Sequence, residues 1–394
     1  MAAIFSPHAS RVSPMKHAAV VNTLGELVRI NSINPGYDGG RPEADIAAFV
    51  EQFFRSRGIE TRRQEVFPQR PNVIAVLPGR NPARRVIFEA HMDTASITGM
   101  KIPPFEPTIT DGRLYGRGAC DTKAGLAAMM HAMAWLRASG TTPPCEIWVV
   151  AAVDEEYSFR GVVKLCEGLN ASAAVVSEPT EMRAVIASKG CVRWKIHSRG
   201  KAAHSSKPQL GINAITNMAR VIVALEEDAG RLARQSHELV GSPTCNVGLI
   251  QGGVQVNFVP DHCSIEVDRL LIPGENVEQV LADYQRLLDG LKVRDPTMDV
   301  SMDPPMLQDE PLETAADAPV ARLASAILAD LGLNAEPMGV PYGSDASKLS
   351  RAGIPSVLLG PGSIDQAHAD VEFVECRQVE QAEEFYRRFM MTFE

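Results

Sequence analysis

The sequence predicts an α/β fold: a mostly parallel-sheet domain interrupted by a small inserted α+β domain. Three observations carry this. Short apolar runs, which read as buried parallel strands, alternate with helical stretches over both ends of the chain. In the middle the pattern switches to apolar–polar alternation, the mark of antiparallel strands with one wet face. At 394 residues the chain is also long for a single core.

Taken in order, residues 17–31 and 43–58 have the periodicity of amphipathic helices, and residues 72–77 and 86–90 read as strands. Residues 123–139, rich in Ala, Met and Leu, form a helix with Gly140 just past its end. Residues 146–153 and 173–176 are further buried strands. Near Ala187 the pattern changes. Residues 192–197 alternate, a helix follows at 212–227, strands at 246–250 and 263–271, and a second helix at 275–290. This β-α-β-β-α block has a ferredoxin-like order and carries no cluster of metal-ligating residues. Asp303-Pro304-Pro305 marks its exit. A helix at 320–330 starts beside Pro319, a strand occupies 356–359, and a helix at 379–392 ends the chain. The expected domains are therefore 1–187 and 303–394, two parts of one unit, with 188–302 inserted between them.

Apolar residues at 45% and charged residues at 22% are ordinary for a soluble globular protein. A net charge of -9 with no Lys/Arg block argues against a nucleic-acid partner. No apolar stretch approaches the roughly 20 residues of a membrane span. The N-terminal MAAIFSPHASRVSPMKH is broken by polar residues and proline where a signal peptide needs its apolar core, so a cytoplasmic location is expected. The 7 cysteines are odd in number, scattered and without a C-x-x-C, as reduced thiols are. Cys120, beside Asp121, reads either as core filler or as a neighbour of the site.

The chemistry lies in five clusters: His91-Met92-Asp93, Asp121 in a glycine-rich turn, Asp154-Glu155-Glu156, Ser177-Glu178-Pro179 and Ala367-His368. Open α/β sheets bind ligands just outside the carboxyl ends of their strands, so this series points to a metal centre at one sheet edge. Singly, each cluster has a plainer reading. His91-x-Asp93 is then a satisfied histidine near a turn. Asp121 belongs to a helix-start turn with Thr122 as N-cap, and residues 154–156 are a solvated loop. Together, His91, Asp121, Glu156, Glu178 and His368 supply two imidazoles and three carboxylates. With one carboxylate bridging, each of two divalent ions has three protein ligands and an open position. A ligand set without thiolate suits zinc, cobalt or manganese. Glu155, adjacent to Glu156 but pointing elsewhere, is left free as a base. Asp93 is placed to fix the second ring nitrogen of His91.

His-Met-Asp-Thr, Gly-Arg-Gly-x-x-Asp-x-Lys-x-Gly, Asp-Glu-Glu, Ser-Glu-Pro-Thr and Ala-His-x-x-x-Glu, in this order, resemble the dinuclear zinc amidohydrolases and peptidases. That family includes acetylornithine deacetylase, succinyl-diaminopimelate desuccinylase and the glutamate carboxypeptidases. The resemblance runs from about Ala18 to the last helix. It implies a catalytic domain and a lid domain that also forms a homodimer. It implies one zinc on His91, Asp121 and Glu178, another on Asp121, Glu156 and His368, and a cis peptide after Asp121. Glu155 would be general base and acid, with Asp93 orienting His91. His204 would reach the neighbouring subunit's active site and hold the oxyanion. Asn257 and Arg269 would contact substrate, and Ser344 would line the pocket. Arg269 also reads as a surface strand salt bridge. The implied activity is hydrolysis of the amide bond of an N-acyl amino acid by a two-metal-activated water. A dipeptidase or glutamate-type carboxypeptidase uses the same centre, and a non-catalytic binding module is the reading from another class. His8, His17, His131, His197, His237 and His262 match no motif.

Overall fold

The structure, a computed structural model, is described for residues 18–394. The signal-peptide reading of residues 1–17 and the histidines His8 and His17 lie outside the described residues.

An α/β domain and a smaller β-rich domain are present. The large sheet runs Glu60–Phe67, Arg70–Leu77, Cys145–Ala152, Asn81–His91, Ala173–Val176, Ser356–Leu358, Val185–Ser188, Leu312–Glu313, and Met338–Val340 also pairs with Val185–Ser188. Its middle is parallel, as Asn81–His91 pairs in that sense with both Cys145–Ala152 and Ala173–Val176, and Ser356–Leu358 with Ala173–Val176. Its flanks are antiparallel except where Met338–Val340 runs parallel to Val185–Ser188. The expectation of a mostly parallel sheet therefore becomes a mixed one, for a physical reason. Glu60–Phe67 and Arg70–Leu77 are joined by two residues, and so short a turn only makes a hairpin. Arg70–Leu77 is nonetheless buried on both faces, so its apolar run resembles that of a parallel strand.

Helices cover both faces. Ala19–Arg29, Ala44–Arg55, Lys123–Ser139, Pro319–Asp330 and Cys376–Thr392 pack into the main core on one side. Arg160–Cys166 and Asp345–Arg351 close a smaller core on the other. Lys123–Ser139 ends as expected, with Gly140 at φ 71°.

In the smaller domain the sheet order is Thr244–Gly252, His262–Leu271, Gly190–Arg199, Asp299–Met302, all antiparallel. Residues of Gly190–Arg199 alternate between buried and accessible. The buried set, Val192, Trp194 and Ile196, packs under the helices Ala214–Leu232 and Val277–Arg294 in a core of its own. Asn213 and Asn276 cap these helices by accepting from the Thr216 and Gln279 amides. A third, three-stranded sheet of Thr108–Thr110, Arg113–Tyr115 and Phe373–Glu375 ties the chain after His368 to the chain before Asp121. Among the described residues no helix is long and apolar enough to cross a membrane.

Candidate metal centre

The parallel strands Asn81–His91, Cys145–Ala152 and Ala173–Val176 end at one edge of the large sheet, and the clusters follow those ends. His91 is 2% exposed. Its Nδ1 lies 2.9 Å from the Asp93 carbonyl oxygen. A carbonyl only accepts, so Nδ1 carries the proton and the neutral ring's free lone pair sits on Nε2. Nε2 is 3.1 Å from Asp121 Oδ1. The other oxygen, Oδ2, is 3.4 Å from His368 Nε2, which is itself 2.9 Å from Glu156 Oε2. Asp121 thus turns one oxygen to each histidine. His91, Asp121 and Glu178 form one group of ligand atoms within 4.8 Å of one another, and Asp121, Glu156 and His368 form a second. Glu155 Oε2 stands 3.9 Å from His91 Nε2.

Local structure explains the convergence. The peptide between Asp121 and Thr122 is cis. Thr122 occupies the N-cap position, but its hydroxyl donates to the Ser177 carbonyl at 3.2 Å and caps nothing. The expected capping role is replaced by a tie to the Glu178 loop. At Gly125 a Cβ would come within 1.6 Å of Ser177 Oγ, so only glycine lets this helix seat against that strand end. The three consecutive carboxylates avoid mutual repulsion by pointing apart. Asp154, left-handed at φ 69°, is buried and accepts from Asn34 Nδ2 at 3.0 Å, from Arg70 Nη2 at 2.8 Å and from Ser158. Glu155 and Glu156 are held by their amides, both of which donate to the Asp93 carboxylate at 3.1 Å. Asp93 therefore supports His91 through its main-chain carbonyl, while its carboxylate anchors the next pair of acids.

Four carboxylates, of Asp121, Glu155, Glu156 and Glu178, crowd two imidazoles. Burial pushes the Glu155, Glu156 and Glu178 carboxyls up. Burial also opposes ionisation of Asp121, but bonds to His368 and His91 outweigh it and hold that carboxyl well below the usual range. Bonds to Asp121 and Glu156 lift His368 to about 10. Oε1 of Glu156 and Oε1 of Glu178 are buried without a partner. Orphaned buried oxygens, beside more negative charge than two histidines balance, fit a pair of divalent cations.

Comparison with known proteins agrees. The profile of peptidase family M20/M25/M40 matches residues 87–392. An acetylornithine deacetylase from Myxococcus xanthus is 32% identical over 94% of this chain and 96% of its own. The chain belongs to the M20/M25/M40 peptidase family. It is a metal-dependent hydrolase. An N-formyl-4-amino-5-aminomethyl-2-methylpyrimidine deformylase from Halalkalibacterium halodurans is 28% identical over 90% of this chain and 89% of that one. The crystal structure of aminopeptidase PepT from Bacillus cereus shares the fold, with TM-score 0.79, 23% identity, and coverage of 94% of this chain and 97% of that one.

In this M20 chain His204, Asn257, Arg269 and Ser344 belong to neither ligand group. His204 is exposed on Ala203–His204, with Nδ1 2.8 Å from Ser206 Oγ. That short strand pairs with Phe258–Val259, which brings His204 beside Asn257, whose Oδ1 is buried without a partner. Arg269 is 1% exposed, and its guanidinium binds Glu275 and the Leu270 carbonyl. It is a buried strand ion pair rather than a free fork. Ser344 is buried, and its Oγ has no partner. Cys120 is core filler whose thiol reaches the Ser363 carbonyl at 3.3 Å.

Several supporting residues carry no sequence-derived role. Glu372 is fully buried: Oε1 accepts from the Cys120 and Asp121 amides at 2.8 and 3.1 Å, and Oε2 from Arg117 Nη1 and the Gly118 amide at 2.7 and 3.1 Å. It clamps the Asp121 turn to the His368 segment. Asn34 Nδ2 donates to Asp93 at 2.7 Å as well as to Asp154, and Arg70 carries the network on to Glu43 at 2.5 Å. Tyr37 donates to the Glu156 carbonyl at 2.7 Å. Glu89 and Asp345 face each other, both 1% exposed, and burial lifts Asp345 to about 7. The available signals were slight: Asn34 in an Asn-Pro turn, Arg117 between two glycines, Glu372 in the Ala-His motif.

Proposed function

We propose that this protein is a cytoplasmic N-acyl-amino-acid deacylase, like acetylornithine deacetylase or succinyl-diaminopimelate desuccinylase. The observation that carries it is the two-sided placement of Asp121 between His91 and His368. His91, Asp121 and Glu178 would hold one ion and Asp121, Glu156 and His368 the other, zinc first, with cobalt or manganese able to substitute. When bound, such a pair supplies Lewis acidity, making a water more acidic and polarising a carbonyl. The chain's own groups do the rest. Glu155 takes the water's proton on a carboxylate oxygen and returns it to the leaving amine. Burial raises its carboxyl above the ordinary carboxylate value. Asp93 keeps Glu155 in place by holding its amide.

Removal of an acyl group is favoured over peptide cleavage because the sequence relatives from Myxococcus xanthus and Halalkalibacterium halodurans are a deacetylase and a deformylase. The smaller domain, residues 188–302, would be a ferredoxin-like lid between catalytic segments 1–187 and 303–394. It would pair with a second copy, bringing His204 to the partner's oxyanion and Asn257 to substrate, with Ser344 of the catalytic segment lining the pocket; Arg269 would have to exchange Glu275 for a substrate carboxylate. The accessible edge strand Thr244–Gly252 and the exposed Leu249, Ile250, Val254, Val256 and Phe258 support that pairing. A panel of acetyl, succinyl and formyl amino acids against dipeptides, run with zinc, cobalt and manganese, tests this. An acyl amino acid should give the highest kcat/KM, and a preference for dipeptides would overturn the deacylase reading.

A further inference from the structure

We infer that His197 and His262 form a separate binding site for a divalent transition metal on the open face of the lid sheet, with Asp303 fixing His197. The two histidines lie on adjacent antiparallel strands, where His197 pairs with Ser264 and His262 with Arg199. On one face they are diagonal neighbours, within reach of long side chains. His197 Nδ1 and His262 Nε2 are 3.3 Å apart. That is long for a hydrogen bond. Two imidazole nitrogens on one tetrahedral zinc, each about 2.0–2.1 Å from it, stand roughly 3.3–3.4 Å apart.

The other nitrogen of His197 supplies an independent observation. Nε2 lies 2.8 Å from Asp303 Oδ2. A carboxylate there accepts, so Nε2 carries the proton and the neutral ring presents a bare Nδ1 to His262. This is the carboxylate–histidine–metal arrangement that orients ligating histidines. Asp303 is itself fixed. Its amide donates to the Lys195 carbonyl at 2.9 Å, and Pro304 and Pro305 stiffen the chain after it.

The surroundings leave room for a hydrated ion. Ser264 and Ser301, the residues opposite His197 on its two neighbours, are small. Lys195 is neutralised by Glu266 at 3.0 Å. Arg199 opposes a cation, but Asp299 stands directly across from it. With two protein nitrogens and water completing the shell, the ion would be exchangeable and its affinity lower than that of a closed four-ligand site. Zinc, nickel or copper suits imidazole. Because the ligands are on the lid, this ion is additional to the catalytic pair and does not depend on the deacylase reading.

The test uses full-length holoenzyme with its catalytic sites filled, titrated with Cu2+ and read by electron paramagnetic resonance, and with Zn2+ by calorimetry. Wild type should take up one further equivalent, whose copper spectrum shows coupling to two imidazole nitrogens. His197→Ala and His262→Ala should each abolish that equivalent while leaving hydrolysis unchanged. Asp303→Ala should weaken it about 10- to 100-fold. Absence of the extra equivalent in wild type would overturn the site. So would its survival in either histidine variant, or copper bound without two nitrogens.

Discussion

Glu372→Gln isolates the clamp on the Asp121 turn. Four donors share the two oxygens of Glu372, two on each. Glutamine keeps the shape but replaces one oxygen with an amino group, so two of the four donors then face a donor. Arg117, 2% exposed, also loses its only anionic partner among the described ion pairs. Each charge-assisted hydrogen bond is worth about 1.5–3 kcal/mol, and breaking a buried ion pair from one side costs about 3–5 kcal/mol. The two overlap, so the expected loss is about 3–5 kcal/mol, read as a lower urea midpoint at unchanged slope. A second readout separates this from general destabilisation. Asp121 is common to both ligand groups, so affinity for both ions should fall together, about 10- to 100-fold in a chelator competition at low urea. Stability within about 1 kcal/mol of the parent, or weakening of one ion alone, would refute the clamp.

Three other outcomes follow from the same geometry. Glu155→Gln should keep both metals and lose roughly 10²- to 10⁴-fold in kcat; a wild-type rate would remove Glu155 as the base. His204→Ala should lower kcat about 10²- to 10³-fold with metal content intact, and an unaltered kcat would rule out the lid contribution. His131, 2.8 Å from Thr23 Oγ1 and with its ring tilted against Phe53, is pulled down to about 4 by burial and by the Arg57 charge. The unfolded chain takes up this proton below about pH 6.5 while the folded one resists until about pH 4. Folded stability should therefore decline between those values, by at most about 3 kcal/mol and less for partial exposure. His131→Phe should flatten that limb of the urea-midpoint profile, and an unchanged limb would contradict the assignment.

The ligand-bearing strand ends were legible because each buried run stops at a polar cluster, a pattern local in sequence. The expected helices at 123–139 and 320–330 appear as Lys123–Ser139 and Pro319–Asp330, since capping and breaker residues mark them. The mixed character of the sheet was not legible, because Arg70–Leu77 is buried on both faces whichever way it pairs. Strands of three residues, such as Arg113–Tyr115, are too short for periodicity. Long-range clamps leave no local signal: Glu372 meets Asp121 across 251 positions. Arg269 is different. It shares the inward face of His262–Leu271 with Cys263, Ile265 and Val267, so period-two alternation held the signal that it is buried, and the surface salt-bridge reading missed it.

The central claim is that Asp121 serves two cations at once. X-ray absorption of the protein loaded with two equivalents of zinc tests it directly. The spectrum should show nitrogen and oxygen neighbours at about 2.0–2.2 Å and a zinc–zinc vector near 3.5–4 Å, the latter lost in Asp121→Asn. A spectrum of isolated zinc ions, or a zinc–zinc vector that survives that substitution, would contradict the account.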